Sequence, residues 1–272
     1  MDYLSRGDAP FDEALWSRID AAVVDAAKGI LVARRFLPLF GPVGPGADVA
    51  RIDLFGQKEE VAKDGFAVMK NRTVQQIPQL CEDFWLYWRD LAMYEKEGVP
   101  VDLGSARAAS EALARREDTM VFYGVKELGI DGLLTAKGTA SQKRSDWSTG
   151  EGAFTDVAAA VTTLLQNGRI GRHTLVMSSD LYVQLQRIQP GTGELESKRV
   201  GKLLEGGGMY MSTVLQPKTA LLVCAQPQYM DLVVGQDIST AFTEAVDLNY
   251  HLRVLETALP RVKAPDAVVV FK

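Results

Sequence analysis

Arg115, Arg116, Glu117 and Asp118 stand side by side in this chain, and such a set of acids and bases suggests proton transfer. Four consecutive charges on a helix, however, point around its axis and do not converge on one substrate atom. They read as ion pairs along a helix at a packing or subunit surface. His173 and His251 are the whole supply of the commonest general base and metal ligand. His173 opens an apolar run after Gly171-Arg172, and His251 fills a polar slot in an alternating one, so both read as structural. Ser178-Ser179-Asp180 looks like a serine-rich site and is better explained as a helix cap. Gly206-Gly207-Gly208 has the composition of a phosphate cradle but follows a helix instead of opening one, which is the wrong polarity. Cys81 and Cys224 are isolated, with no CxxC pair and no His at ligand spacing, so neither a disulfide framework nor a metal site is expected. The nucleophile elbow, the Walker loop, the zincin helix and the dinucleotide fingerprint are all missing from the sequence.

Composition narrows the classes further. The chain has 272 residues, 47% of them hydrophobic, enough for one large or two small domains with a core of their own. The net charge of -5 gives no broad footprint for nucleic acid. No stretch approaches the roughly 18 apolar residues of a membrane span, and the acidic start MDYLSRGDAPFDE does not make a signal peptide, so a cytoplasmic protein is expected.

The elements that must position these residues can be read from periodicity. A helix-start signature begins at Asp8, with Pro10 in the first turn and Asp12 and Glu13 behind it. Phe11, Leu15, Ile19, Val23, Ala26 and Ile30 then form one apolar stripe, which packs on a core or on a partner. Residues 41–77 are glycine- and proline-punctuated, charged and extended. Loops beyond about 15 residues are uncommon in a compact domain, so a projecting hairpin that gains its burial from neighbouring subunits is expected. Residues 81–97 carry Phe84, Trp85, Tyr87, Trp88, Leu91 and Tyr94 at spacings that suit a helix. A long helix is expected over residues 106–128, with Asp102 or Ser105 as its cap and small residues that allow close approach. Further helices are expected over 154–167, 179–185 and 195–205. Strands are expected over 173–177, 220–225, 230–234, 247–256 and in the closing AVVVF.

Several ordered motifs then carry a resemblance. MDYLSRGDAPFDEALWSRID, ARRFLPLFGPVG, FWLYWRDL, RREDTMVFYG, GIDGLLT, TLVMSSDLYVQL, GQDIS and RVKAPDAVVVF together resemble the encapsulins, the linocin-like shell proteins of nanocompartments, over almost the whole chain. The resemblance implies an α+β chain with the Hong Kong ninety-seven phage-like capsid fold. Residues 1–40 would be an N-terminal, lumen-facing helix region and 41–77 the extended loop. Residues 78–134 and 226–272 would make the peripheral domain with its spine helix, and 135–225 the axial domain.

The function so implied is that of a self-assembling shell, a homo-oligomer of about sixty copies or a larger icosahedral multiple, with no catalytic residue of its own. Its expected cargo is a ferritin-like, iron-storing protein or a dye-decolorising peroxidase, with the first favoured. By resemblance, the cargo's short apolar C-terminal peptide would lie against Ile30, Leu37, Leu39, Phe40, Asp237 and Ile238. Gln189, Pro190, Gly191, Thr192, Gly193 and Glu194 would line a fivefold pore, where Glu194 either faces inward and favours cations or is a solvated loop acid. Some relatives hold a flavin against a tryptophan matching Trp88; where they carry an arginine eight residues earlier, this chain has Leu80, so no intrinsic cofactor is expected, with a flavin at Trp88 as the alternative. Two rivals stay open. One is a phage or prophage major capsid protein, disfavoured because the ordered motifs begin at Met1 with no scaffold segment before the first helix. The other is a hydrolytic enzyme using Ser179, Asp180 or the Glu117/Asp118 pair.

Overall fold

A computed structural model describes residues 3–57 and 59–272, so Met1 and Asp2 of the opening motif and Lys58 of the extended loop lie outside the described residues. In chain order the elements are α1 (Glu13–Ile30), β1 (Leu39–Phe40), β2 (Val49–Asp53), β3 (Glu59–Lys63), β4 (Phe66–Lys70), β5 (Arg72–Gln76), β6 (Gln79–Leu86), α2 (Trp88–Glu97) and α3 (Gly104–Tyr123). They continue with β7 (Ala140–Gln142), α4 (Gly152–Gln166), β8 (Thr174–Met177), α5 (Ser179–Gln184), α6 (Glu196–Gly201), β9 (Met209–Met211), β10 (Ala220–Val223), β11 (Met230–Val234), β12 (Ser239–Val246), β13 (Asn249–Val262) and β14 (Val268–Phe271).

Two sheets organise the chain. In the first, β13 runs antiparallel between β12 and β6 and then alongside β11, which takes β1 as a parallel edge. Helix α3 lies on β6 and β13 and packs against α1. The alanines of α3 allow this approach: Ala106 and Ala114 are fully buried, and the Ser110 hydroxyl donates to the Val23 carbonyl at 2.6 Å. The second sheet has the order β7-β14-β10-β8-β9 and packs against α4. Strand β14, which the sequence grouped with the peripheral region, thus belongs to the second sheet, because all four of its residues pair with β10.

Residues 41–77 form the expected hairpin. β2 pairs with β5, β3 pairs with β4, and Asp64-Gly65 turns the tip with both residues at positive φ. Its base is tied down by Phe55, whose N–H donates to the Lys263 carbonyl and whose ring meets Tyr229 edge-on. Beyond the base the apolar side chains find little cover: Phe66 is 77% exposed and Val68 61%.

Three readings of local structure change. Helix α1 is capped by Asp12, whose Oδ1 accepts from Leu15 N at 2.7 Å, and not by Asp8. Pro10 holds the preceding Ala9 in an extended conformation, so a helix cannot pass through it. Residues 79–86 are a strand. Leu80, Phe84 and Leu86 are buried at even positions, a period of two that the dense aromatics concealed, and helix begins only at Trp88. Helix α3 ends at Tyr123, five residues early, because the chain crosses itself just beyond. Gly124 has φ of 71°, and a side chain on Gly132 would come within 2.3 Å of the Gly124 nitrogen, so only glycine passes at this crossing.

Candidate functional site

The C-terminal end of α1 faces the turn between β11 and β12 across a cavity of about 400 Å³. Val24, Ala27, Leu31 and Ile238 supply apolar walls; Lys28, Arg34, Arg35 and Asp237 supply polar ones. Ile30 adjoins the cavity, since it packs with Ile238 on the small cluster of Ala27, Leu31 and Ala114. Of the six residues expected to line one groove, the structure therefore gathers Ile30, Asp237 and Ile238. Leu37 is buried in the main core at 5% exposure. Leu39 and Phe40 lie on β1 beside β11, half-exposed, with Arg261 placed 4.7 Å over the Phe40 ring. Pro38 and the parallel pairing of β1 carry these three away from the end of α1.

Beneath the cavity lies a charge cluster that periodicity did not bring together. Arg34 Nη2 is 2.6 Å from Glu117 Oε2 and 2.5 Å from Glu256 Oε2, while Nη1 is 2.7 Å from Asp237 Oδ1. Glu117 and Glu256 are fully buried. Burial alone would disfavour the charge on Arg34, but the hydrogen bond and charge of Glu117, the charge of Glu256 and the hydrogen bond to Asp237 raise its affinity for the proton. Burial also pushes the Glu256 carboxyl well above the usual carboxylate range and the adjacent Glu117 adds to the rise, while the Arg34 guanidinium opposes it. For Asp237, burial works against ionisation, yet the Arg34 guanidinium keeps the carboxyl below the usual carboxylate range.

Asp118 turns the other way. Its two oxygens accept the Val32 and Ala33 backbone N–H groups at 2.9 and 3.0 Å, capping the turn after α1. Burial pushes its carboxyl up to about 7 against the opposing pull of those two bonds. The run of four charges thus divides. Arg115 and Arg116 pair on the surface with Glu111 and Glu82, and Glu117 and Asp118 enter the core with separate partners. Arg115, Arg116 and Glu117 thus make the ion pairs expected at a packing or subunit surface, and Asp118, which binds backbone N–H groups, departs from that reading. A signal was present: Glu117 shares the helical phase of Leu113 and Ser110, and Glu256 the inward phase of Leu252 and Val254.

The remaining predicted residues lie elsewhere. Gln189 is buried and donates to Glu151 at 2.7 Å, while Pro190, Gly191, Thr192, Gly193 and Glu194 form an exposed loop closed by the Ile188–Leu195 bridge. Glu194 is paired with Lys202 of the same chain at 2.9 Å, which lowers its carboxyl. Trp88 opens α2, 40% exposed, with Arg89 beside its ring at 5.5 Å; Leu80 is buried in β6. Position 80 thus faces the core. Asp180 accepts from Lys218 N, and neither Ser179 nor Asp180 reaches a histidine among the described residues. His251 does have partners: Thr243 Oγ1 lies 2.6 Å from Nδ1, the Asp83 carboxylate is at 3.6 Å, and the ring sits 4.5 Å from that of Trp85.

Comparison with known proteins bears on what this arrangement serves. A family model described as "Encapsulating protein for peroxidase" matches residues 1–259. The type 1 encapsulin shell protein EncA of Myxococcus xanthus is 34% identical over 274 residues, covering 98% of this chain and 95% of the relative. A ferritin-like-encapsulin shell fusion protein of Pyrococcus furiosus is 25% identical, covering 82% of this chain and 61% of its own length. Among solved structures, a virus-like particle from Pyrococcus furiosus superposes with a TM-score of 0.77 at 22% identity, covering 94% of this chain and 99% of the other. The capsid of Myoviridae phage XM1 follows with a TM-score of 0.61 at 14% identity, covering 88% and 90%. These superpositions show the phage capsid fold expected from the sequence.

Proposed function

The chain belongs to the encapsulin family of encapsulating shell proteins, and from that membership we propose that it assembles into a closed icosahedral wall around a cargo enzyme. The observation that carries this reading is a full-length match to a shell protein in a chain that leaves its own hairpin uncovered. Phe66, Val68 and Val74 are more than half exposed along residues 49–76, apolar surface that a neighbouring copy would bury. The groove at the end of α1 is the place for cargo, its apolar walls taking side chains of a short extended segment and its polar rim fixing direction. Many identical grooves on one wall retain cargo by avidity even when each is weak.

A ferritin-like, iron-oxidising protein is the cargo we favour, supported by the relative whose name joins a ferritin-like part to a shell part. A peroxidase is the second reading, supported by the description of the family. The loop Gln189 to Glu194 is the proposed pore segment, and Glu194, already neutralised by Lys202, adds little cation selectivity there. The compartment is proposed to be cytoplasmic; no helix among the described residues is long and apolar enough to cross a membrane.

Electron microscopy of the purified protein tests the assembly. Hollow uniform particles are expected, and a chain that stays monomeric at micromolar concentration refutes the shell. Mass spectrometry of co-purifying protein names the cargo, and absence of any iron-oxidising or peroxidase protein in native particles sinks both cargo readings.

A further inference from the structure

Arg35 stands between two cavities. On one side is the groove at the end of α1; on the other is a cleft of about 520 Å³. Arg35 and Arg172 line this second cleft together with Thr174, Tyr210 and Gln226, and no aspartate or glutamate lines it. Neither guanidinium is in an ion pair among the described residues. Arg35 donates only to the Lys28 and Gly29 carbonyls, at 3.1 and 3.4 Å, and Arg172 is exposed. Two arginines on the wall of a cleft with no acid favour an anion, although the charge of Arg35 also acts on Asp118, and the planar fork of arginine suits a carboxylate. The glycines at 206–208 are not the donors. Gly207 N is spent on the Leu204 carbonyl, and a side chain there would come within 1.8 Å of the His173 oxygen, so glycine is present for packing.

We propose that this cleft is a carboxylate subsite continuous with the groove, in which Arg35 and Arg172 take the C-terminal carboxylate of a bound cargo segment. The proposal rests on the reading of the groove as the cargo site. Because Arg35 lines both cavities, a segment whose apolar side chains occupy Val24, Ala27, Leu31 and Ile238 has its charged end delivered to Arg172 without leaving the surface. At about 3.3 Å per extended residue, a few residues suffice to pass from one cavity to the next. Capture of a terminal carboxylate would also give the groove a direction, rejecting the same apolar sequence when it is internal to a chain.

The test uses assembled, cargo-free shells and a hexapeptide of leucine and glycine labelled with fluorescein at its N-terminus, made once with a free C-terminal carboxylate and once as the amide. In anisotropy titrations the free acid is expected to bind roughly tenfold tighter than the amide, the scale of a charge-assisted bond. Arg172→Gln is expected to shrink that difference several-fold, and Ile238→Asp to weaken both peptides. Arg172 makes no hydrogen bond or ion pair among the described residues, so the variant is expected to assemble, which microscopy checks. Equal binding of acid and amide to wild-type shells overturns the subsite and leaves the groove standing. A difference that survives Arg172→Gln undiminished also overturns it. Failure of both peptides to bind overturns the groove, and the subsite with it.

Discussion

Arg34 and Glu117 are 83 residues apart in sequence and meet at 2.6 Å, with the glutamate fully buried and the guanidinium opening onto the groove. The pair fastens the turn after α1 to the middle of α3. Arg34 also reaches Glu256 of β13 and Asp237 of the turn after β11, so one side chain holds four parts of the chain together.

Removing the hub should therefore cost more than removing a satellite. Arg34→Met leaves Glu117 buried without its counter-ion, a situation worth about 3–5 kcal/mol. A fall on the order of 10 °C in the thermal midpoint of purified particles is expected. Glu256→Gln should cost less than Arg34→Met, because burial already disfavours the charge on that carboxyl and an amide still offers both an acceptor to Arg34 and a donor to Glu117. A large loss in Glu256→Gln would show that Glu256 is ionised.

Asp118 gives a pH dependence whose sign follows from burial. Its folded value of about 7 lies above the ordinary 3.8, so between these limits the folded chain binds more protons than the unfolded one. The stability contributed by this group is full below about 4 and is lost as pH rises towards 7, by up to about 1.4 kcal/mol per pH unit. Urea midpoints of the subunit measured from pH 4 to 8 should fall less steeply in Asp118→Asn than in the wild type. Parallel curves would refute the assignment.

The groove separates residues that the family resemblance grouped together. Ile238→Asp places a charge in the apolar wall and should leave particles hollow but depleted of cargo, by tenfold or more on densitometry of purified shells. Leu39→Asp lies on the edge strand β1, away from the cavity, and should load normally. The reverse pattern would move the cargo site to β1.

The hairpin is expected to matter for assembly and not for folding of the subunit. Phe66→Asp with Val68→Asp alters side chains that contribute little to the subunit's own core, being 77% and 61% exposed. Circular dichroism should match the wild type, while analytical ultracentrifugation should show free subunits or small oligomers in place of particles. Normal particles from this variant would mean that the hairpin tip is not buried between copies.

Much of the local structure was legible in the residues themselves. The apolar stripe of α1, the continuous apolar runs at Met230–Val234 and Val268–Phe271, and the non-globular texture of residues 41–77 each reflect interactions within a few residues, which periodicity records. The ordered motifs likewise carried the family, and with it the capsid fold. The strand at Gln79–Leu86 was misread because closely spaced aromatics satisfy both periods, and its pairing with β13, some 170 residues on, decides for the strand.

What the tertiary structure alone decided is which distant residues share a space. Sequence phase shows that Glu117 and Glu256 face inward, but that both face Arg34 depends on how α1, α3 and β13 pack, and no local pattern encodes it. The same packing gathers Ile30, Asp237 and Ile238 at the end of α1 and sends Leu37 into the core, although all of them lie in motifs of one family resemblance. Helix and strand periodicity orient a side chain relative to its own element; the position of one element against another comes from long-range burial and register, which is where the groove and its charged floor arise.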